Sequence, residues 1–259
     1  SKPNYTFSGW YTDSACTTEY DFNTTVTNSF TLYAKFKEFS GMFGKYDASG
    51  NEDGMFQNTY YVEYGSYPQS LYSGDTTSFN LVSGKTYNLK DKNCPVYTDG
   101  TNEYVKFESS STDTTYTGVK YYKVEPVRWL IVGYGDGSMI NTSDAFSIDL
   151  TTNKITYPSG KSGLTVVSEK VLSVKIFDEY DNPAFINGLE VEADWQNSKI
   201  RSYMNDVMFG ELFASDNAKI KSTQLTTGCV SMDDSVTLVS QSTNDKLFLL
   251  STDEEGKNT

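Results

Sequence analysis

The sequence predicts an α+β protein that is rich in β-structure, with a mixed or antiparallel sheet and one main amphipathic helix. Short segments in which apolar and polar residues alternate recur along the chain, as in half-buried strands. An apolar period of three to four residues, which is typical of a helix, is clearest over residues 194–213. The 259 residues, 37% hydrophobic and 15% aromatic, are enough for one or two folded domains.

The strongest strand is predicted at residues 121–134. Val127, Trp129 and Ile131 share one face of this strand, and Leu130 lies on the other face. Because both faces are apolar toward the end of the segment, we predict that this strand lies in the middle of the sheet.

Turn residues divide the rest of the chain into further strands and hairpins. Strands are predicted at residues 60–70 and 246–250, and an inserted hairpin or loop at residues 141–163. Residues 133–137 carry glycine at alternate positions after a strand, as in a nucleotide-binding loop. Strand-forming residues follow instead of a helix, so these glycines predict a hairpin turn.

The predicted helix at residues 194–213 has an apolar stripe on one side. The stripe consists of Ile200, Tyr203, Met204, Val207 and Met208, and the outward side carries Arg201, Asn205 and Asp206. Asp194 or Asn197 is predicted to cap the first turn, because a short polar side chain there can accept hydrogen bonds from unpaired backbone N–H groups.

Charge and the lack of histidine exclude several classes of function. Lys and Arg number 21 against 34 Asp and Glu, a net charge of −13, which repels nucleic acid and anionic membranes. No histidine is present, so an imidazole base, a histidine-liganded metal and a histidine-based triad are all excluded. The three cysteines, Cys16, Cys94 and Cys229, are too widely spaced for a paired thiolate metal site and odd in number for a complete disulfide framework.

The first 36 residues carry a dense pattern of aromatic and small polar residues. The pattern consists of Tyr5, Phe7, Gly9, Trp10, Tyr11, Asp13, Cys16, Tyr20, Phe22, Val26, Leu32, Tyr33, Ala34, Lys35 and Phe36. It resembles the second half of the Listeria-Bacteroides repeat, the internalin B-type repeat of bacterial surface proteins. The resemblance implies half of a β-grasp-like module in the stalk of a secreted or wall-anchored protein. The first half of the repeat has no counterpart before Ser1.

A second resemblance extends over about residues 60–254. Four pieces carry it in order, at residues 61–70, 124–132, 164–178 with 194–213, and 245–254. The matching residues are Gly65, Tyr67, Pro68, Gln69, Pro126, Trp129, Ser168, Phe177, Trp195, Ser198, Arg201, Asn205, Asp206, Phe209, Phe213, Lys246, Phe248, Leu249, Leu250 and Ser251. They resemble a secreted bacterial domain of unknown function, number 6273. The resemblance implies a fold of the C-type-lectin or sulfatase-modifying-factor kind, whose C-terminal part is missing here, and implies no activity.

These patterns together predict three parts. Residues 1–37 form the partial repeat, residues 38–59 form a linker, and residues 60–259 form the α+β domain. The linker is expected to pack against the domain through apolar residues such as Phe43 and Phe56.

Two sets of residues are candidates for binding. Asp47, Ser49, Asn51 and Asp53 alternate oxygen-bearing side chains as a calcium loop does, but the usual acidic residue at the closing position is absent, which favours a solvated linker and no cofactor. On the helix, Trp195 could stack on a sugar, with Arg201 and Tyr203 beside it as ligand-binding residues. Core packing with a structural ion pair is the favoured alternative for this second set.

The function that these observations favour is non-catalytic. We expect an extracellular or wall-bound module, stalk plus binding head, that adheres to a glycan or to a host or matrix protein, without nucleic acid or membrane insertion. One alternative is a polysaccharide-acting enzyme that uses paired carboxylates from an acidic cluster. The cluster consists of Asp178, Glu179, Asp181, Glu190, Glu192 and Asp194. A structural spacer is the other alternative.

Overall fold

A computed structural model describes most of the chain and divides it into two compact units. The described residues are 5–26, 28–38, 41–109, 118–175, 177, 184–186, 189–191, 195–214, 219–230 and 238–250. One unit extends over residues 1–41 and the other over residues 42–259. The predicted β-rich class is confirmed, since the strands form antiparallel sheets and the described residues include one short helical segment.

The first unit contains one antiparallel strand pair, β1 (Tyr5–Tyr11) and β2 (Tyr33–Glu38). The register shifts between Phe7 and Gly9, where β1 carries a bulge. In the connection, the Asp13 carboxylate accepts hydrogen bonds from the backbone N–H groups of Thr17 and Thr18, and these bonds lower the pKa of Asp13. The alternating pattern of the partial repeat thus forms strands at both of its ends.

The second unit is built on a seven-stranded antiparallel sheet. Its strands are β3 (Met42–Lys45), β4 (Tyr60–Tyr72), β5 (Asn80–Leu89), β6 (Lys92–Thr98), β7 (Glu103–Ser109), β8 (Gly118–Tyr134) and β11 (Leu164–Ser168). The order is β3-β4-β8-β7-β6-β5, and β11 also pairs with β8. Between β8 and β11, the short hairpin of β9 (Ser147–Asp149) and β10 (Lys154–Thr156) confirms the predicted insertion.

The central position of β8 is confirmed. β8 pairs with β4, β7 and β11. Val127, Trp129 and Ile131 are buried on one face and Leu130 on the other. The Trp129 indole N–H donates a hydrogen bond to the backbone oxygen of Tyr64 at 2.7 Å, which satisfies the polar atom of a buried aromatic side chain. After β8, the backbone bonds of Tyr134 with Ser138 confirm the hairpin turn predicted from the glycines.

The predicted linker at 38–59 is structured over part of its length. Residues 42–45 form β3, in which Phe43 lies opposite Val62 of β4 and is buried, while Met42 is exposed. The boundary between the two units therefore falls at the start of β3. The sequence did not indicate this strand because it is only four residues long, follows Gly41 and contains Gly44.

The main helix occupies residues 199–213. It comprises an α-helical turn at Lys199–Ser202, a π-helical segment at Tyr203–Met208 and a second α-helical turn at Phe209–Phe213. The N-cap of the helix is Ser198 and not the predicted Asp194 or Asn197. The side chain of Ser198 accepts a hydrogen bond from the N–H of Arg201 at 3.2 Å. Asp194 lies outside the described residues.

The π-helical segment changes which residues face the core. Its i→i+5 bonding widens the turn, so residues five apart lie on one side. Tyr203 and Met208 are accordingly buried, whereas Val207, predicted to belong to the apolar stripe, is 37% exposed. Phe209 and Phe213 continue the buried side.

The helix packs closely on β4 at Gly65. A Cβ atom at Gly65 would lie 2.6 Å from the backbone oxygen of Leu212, and Gly65 has a φ of +71°. Glycine is therefore required both by the backbone conformation and by the close approach of the helix. The Phe213 ring then lies against Tyr64 and Trp129, with centroids 5.3 and 5.9 Å apart, respectively.

Side chains of the helix also form hydrogen bonds with the backbone of β5, the edge strand of the sheet among the described residues. The Tyr203 hydroxyl donates to the backbone oxygen of Asn88 at 3.1 Å, and the Glu211 carboxylate accepts a hydrogen bond from the Asn88 backbone N–H. Tyr67 and Tyr203 are joined through their hydroxyls at 3.0 Å. These bonds substitute for a neighbouring strand, which protects an edge otherwise open to pairing with other chains.

The final strands form a separate hairpin, β14 (Thr223–Val230) with β15 (Leu238–Asp245). A further short pair joins β12 (Ala184–Ile186) with β13 (Leu189–Val191). The predicted strand at 246–250 is wrong. The Asn205 side chain instead bonds the N–H groups of Lys246 and Leu247 and the backbone oxygen of Leu247.

Glu211 makes the stability of the second unit depend on pH. Burial raises the pKa of Glu211, an effect that the Asn88 N–H and the charge of Lys175 oppose only in part. Its second carboxylate oxygen is buried and has no hydrogen-bond partner among the described residues. Because the folded pKa lies above the unfolded one, the group stabilises the fold below its unfolded pKa. That contribution is lost as the pH rises through the folded pKa.

We predict that Glu211→Gln removes this pH dependence. Relative to the wild type, the variant should gain stability as the pH rises from 4 toward 7, since glutamine stays neutral in the buried site. Urea unfolding of both proteins at a series of pH values measures the difference. Asp206→Asn, an exposed helical carboxylate, is the control. A stability difference that does not change with pH would contradict the prediction.

Candidate functional site

A groove in the second unit is lined in part by Arg128 and has a volume of about 460 Å³. We call it the Arg128 groove. It is lined by Tyr46, Gly50, Asn51, Glu52, Asp53, Glu63, Gln69, Glu125, Pro126, Arg128, Glu169 and Lys170. These residues come from four places: the loop between β3 and β4, β4 itself, β8, and the residues that follow β11.

The groove lies where one side of β8 is not paired with any of the described strands. β7 pairs with residues 118–123 of β8, and β11 pairs with residues 129–134 on the same side, opposite β4. Pro126 lies in the gap between them, where a residue without an N–H donor is tolerated in a strand. The Gln69 side chain donates hydrogen bonds to the backbone oxygens of Glu125 and Pro126, at 3.1 and 2.9 Å. It thereby fixes the backbone that forms the groove.

Arg128 is held by side chains of the protein itself. Its Nε donates to Glu63 at 2.8 Å, and its Nη1 donates to the Tyr46 hydroxyl at 3.1 Å. The guanidinium carbon also lies 5.0 Å from the centroid of the Tyr61 ring and 5.9 Å from that of Tyr46. The hydrogen bond to Glu63 raises the pKa of Arg128, which stays charged.

Carboxylates outnumber bases in the groove. Five acidic residues and two basic residues line it, so the lining carries 2 − 5 = −3 formal charges. Glu63 is paired with Arg128, and Glu169 accepts a hydrogen bond from the Asn51 amide at 3.3 Å. The remaining three carboxylates have no ion pair or side-chain hydrogen bond within the described part of the chain. These are Glu52, Asp53 and Glu125.

The residues of the predicted calcium loop form turns. The Asp47 carboxylate accepts a hydrogen bond from the Ser49 N–H at 2.7 Å, and the Asn51 side-chain oxygen accepts one from the Asp53 N–H at 3.2 Å. Asn51 and Asp53 line the groove, but Asp47 and Ser49 do not. Among the described residues, no group of three or more cysteine or acidic side chains is placed to hold a metal. Calcium binding stays a prediction.

Two of the predicted ligand-binding residues meet at a buried carboxylate instead. Asp245, only 1% exposed, accepts hydrogen bonds from Trp195 Nε1 at 2.8 Å, Arg201 Nε at 2.8 Å and the Thr243 hydroxyl at 2.7 Å. Burial raises the pKa of Asp245, but these donors outweigh it and lower the pKa overall. Trp195 is thus buried in the core, and Arg201 forms an ion pair with Asp245. Tyr203 lies apart from them, against β5.

The acidic cluster considered for catalysis falls outside the described residues, apart from Glu190 in β13, whose side chain is not described. Cys16 and Cys94 are free thiols, and burial raises the pKa of Cys94. Cys229 lies in β14.

Comparison with known families confirms both resemblances. The Listeria-Bacteroides repeat domain matches residues 1–35. The domain of unknown function DUF6273 matches residues 164–259. The second match is shorter than the predicted extent, and both β4 and β8 lie before it. No curated protein and no solved structure matches the chain.

The repeat is found in surface proteins, so the chain contains a module of surface-associated proteins. DUF6273 carries no assigned function. None of the helices in the described residues is long and apolar enough to cross a membrane. Of the residues that line the Arg128 groove, only Glu169 and Lys170 fall within the DUF6273 match, and the others lie outside both matches.

Sequence reasoning named Asn51 and Asp53 as candidate calcium ligands but did not identify the other residues that line the groove. The one available signal was Arg128 itself, a basic residue between apolar neighbours at the centre of the strongest predicted strand. Its partner Glu63 lies directly opposite on β4, a pairing that becomes visible only with the strand register.

We predict that Asp245→Ala strongly destabilises the second unit. The substitution removes the acceptor shared by Trp195, Arg201 and Thr243, and breaking a buried ion pair costs about 3 kcal/mol. Chemical unfolding measures the change, with Asp206→Ala as the exposed control. A loss no larger than that of the control would show that the contacts at Asp245 do not hold the helix to β15.

Proposed function

We propose that the chain is a non-catalytic module of a bacterial surface protein, held outside the cell, that binds a glycan or protein ligand in the Arg128 groove. The observation that carries the proposal is the groove itself. It is a cavity on a central strand with three carboxylates that no described side chain neutralises. Binding sites are commonly concave and contain a few polar groups on a rigid scaffold.

The fold supports a stalk and a head. We propose that residues 1–37 are the second half of a β-grasp-like repeat, because their described strands form an antiparallel pair. We propose that the domain beyond them is related to the C-type-lectin and sulfatase-modifying-factor folds. That relation rests on the DUF6273 resemblance and on the packing of one helix against an antiparallel sheet.

Binding is favoured over catalysis by the chemistry of the groove. The chain has no histidine, and the Arg128 guanidinium already donates hydrogen bonds to Glu63 and Tyr46. We propose no cofactor, and calcium at the 47–53 loop is the alternative. An enzyme that uses paired carboxylates is the second candidate function, because Glu125 and Asp53 line the same groove.

A screen of glycans and host matrix proteins tests the proposal. The whole chain is expected to bind a ligand that Glu125→Gln and Tyr46→Phe weaken and Trp195→Phe does not, because Trp195 is buried away from the groove. If no ligand binds, or if only Trp195→Phe abolishes binding while the protein stays folded, the proposal is wrong. Polysaccharide turnover that Glu125→Gln abolishes would establish the enzyme instead.

A further inference from the structure

We propose that the outer edge of β14 is an interaction surface, where β14 of a second copy of the chain adds as an antiparallel strand. The pairing joins the β14–β15 hairpins of the two copies into one four-stranded sheet. No residue of this hairpin lines the Arg128 groove, so the inference goes beyond the proposed function.

β14 presents backbone groups that no described strand bonds. Its eight residues, Thr223–Val230, pair one for one with β15, and neither strand pairs with any other strand in the described part of the chain. In an antiparallel pair, alternate residues direct their N–H and C=O groups away from the partner strand. β14 therefore offers about four residues whose backbone can bond a further strand.

The two outer strands of the seven-stranded sheet are protected against such pairing. β3 is four residues long, and the Asn153 side chain accepts a hydrogen bond from its Phe43 N–H at 3.0 Å. At β5, Tyr203 and Glu211 bond the backbone of Asn88. Such covers and short lengths keep edge strands from pairing with other chains.

β14 has none of these protections among the described residues. No described side chain bonds its backbone, and its sequence TQLTTGCV contains neither a charged residue nor a proline. Charges and prolines are the residues that usually prevent pairing at an edge. An edge strand of this length and composition is therefore suited to strand addition.

The side chains of β14 suit an added strand on both faces. Gln224 and Thr226 are exposed on one face, and uncharged polar side chains there can hydrogen-bond across neighbouring strands. Leu225 and Thr227 are half-buried on the other face, opposite Thr243 and Gln241 of β15. Pairing thus buries no unpaired charge.

Charge favours a second copy of the chain as the partner. A net charge of −13 opposes contact between two copies at most places, but β14 itself adds no charge to the contact. In the sequence, Lys219 and Lys221 precede β14, and Asp233 and Asp234 follow it. When identical strands pair antiparallel about a two-fold axis, the start of each lies beside the end of the other. Opposite charges therefore come together at both ends of the pairing.

Sedimentation of the full chain over a range of concentrations tests the proposal. We expect a reversible dimer whose dissociation constant rises about tenfold when Gln224→Glu and Thr226→Glu are combined, because like charges then face each other across the new pairing. The matched control combines Asn244→Glu and Ser242→Glu. These residues are exposed and lie directly opposite Gln224 and Thr226 on β15, one strand farther from the partner. At physiological salt we expect the control to raise the constant less than about threefold.

Hydrogen exchange of the unmodified chain gives a second measurement that does not depend on how the variants fold. Amides of β14 should exchange more slowly at concentrations where the dimer forms than in dilute solution, because the second copy bonds the outer N–H groups. A chain that stays monomeric at every concentration would overturn the inference. So would equal weakening by both pairs of substitutions, or a dimer in which exchange at β14 does not slow.

Discussion

The arrangement of the second unit depends on which strands pair with each side of β8. β4 occupies one side over most of the strand, while β7 and β11 occupy successive parts of the other. Between β7 and β11, one side of a short part of β8 pairs with no strand in the described part of the chain. Pro126 lies in that gap, the Gln69 side chain of β4 donates hydrogen bonds to the backbone oxygens of Glu125 and Pro126, and the groove lies beside them. One feature of strand pairing therefore positions the candidate site.

Side chains repeatedly take the place of missing strand neighbours in this fold. Gln69 does so in the gap of β8, Tyr203 and Glu211 do so at the edge of β5, and Asn205 does so after β15. Each bond satisfies a backbone group that would otherwise be unpaired. The sequence pattern predicted β8 and the main helix because their buried residues recur at the periods of a strand and a helix. It could not predict these bonds. The apolar run at 246–250 therefore resembles a strand in sequence, although its backbone is bonded by the Asn205 side chain at Lys246 and Leu247.

The candidate site was least predictable for a related reason. Its residues come from four separate segments, and only the register of β4 against β8 brings Glu63 opposite Arg128. Trp195 and Arg201 were visible in the sequence as a pair on one helix, but their partner Asp245 lies 44 residues or more away. The surplus of acidic residues is visible in the composition, and the structure places five of these residues in the lining of one groove.

The central claim is that a ligand binds in the Arg128 groove. Nuclear magnetic resonance mapping during titration with a ligand identified in the glycan and matrix-protein screen tests it most directly, because each backbone amide reports its own surroundings. The account predicts shifts at residues 50–53, at Glu125 and Arg128, and at residues 169–170, with little change at the helix or at β15. Shifts spread evenly over the acidic surface, or confined to residues away from the groove, would contradict it.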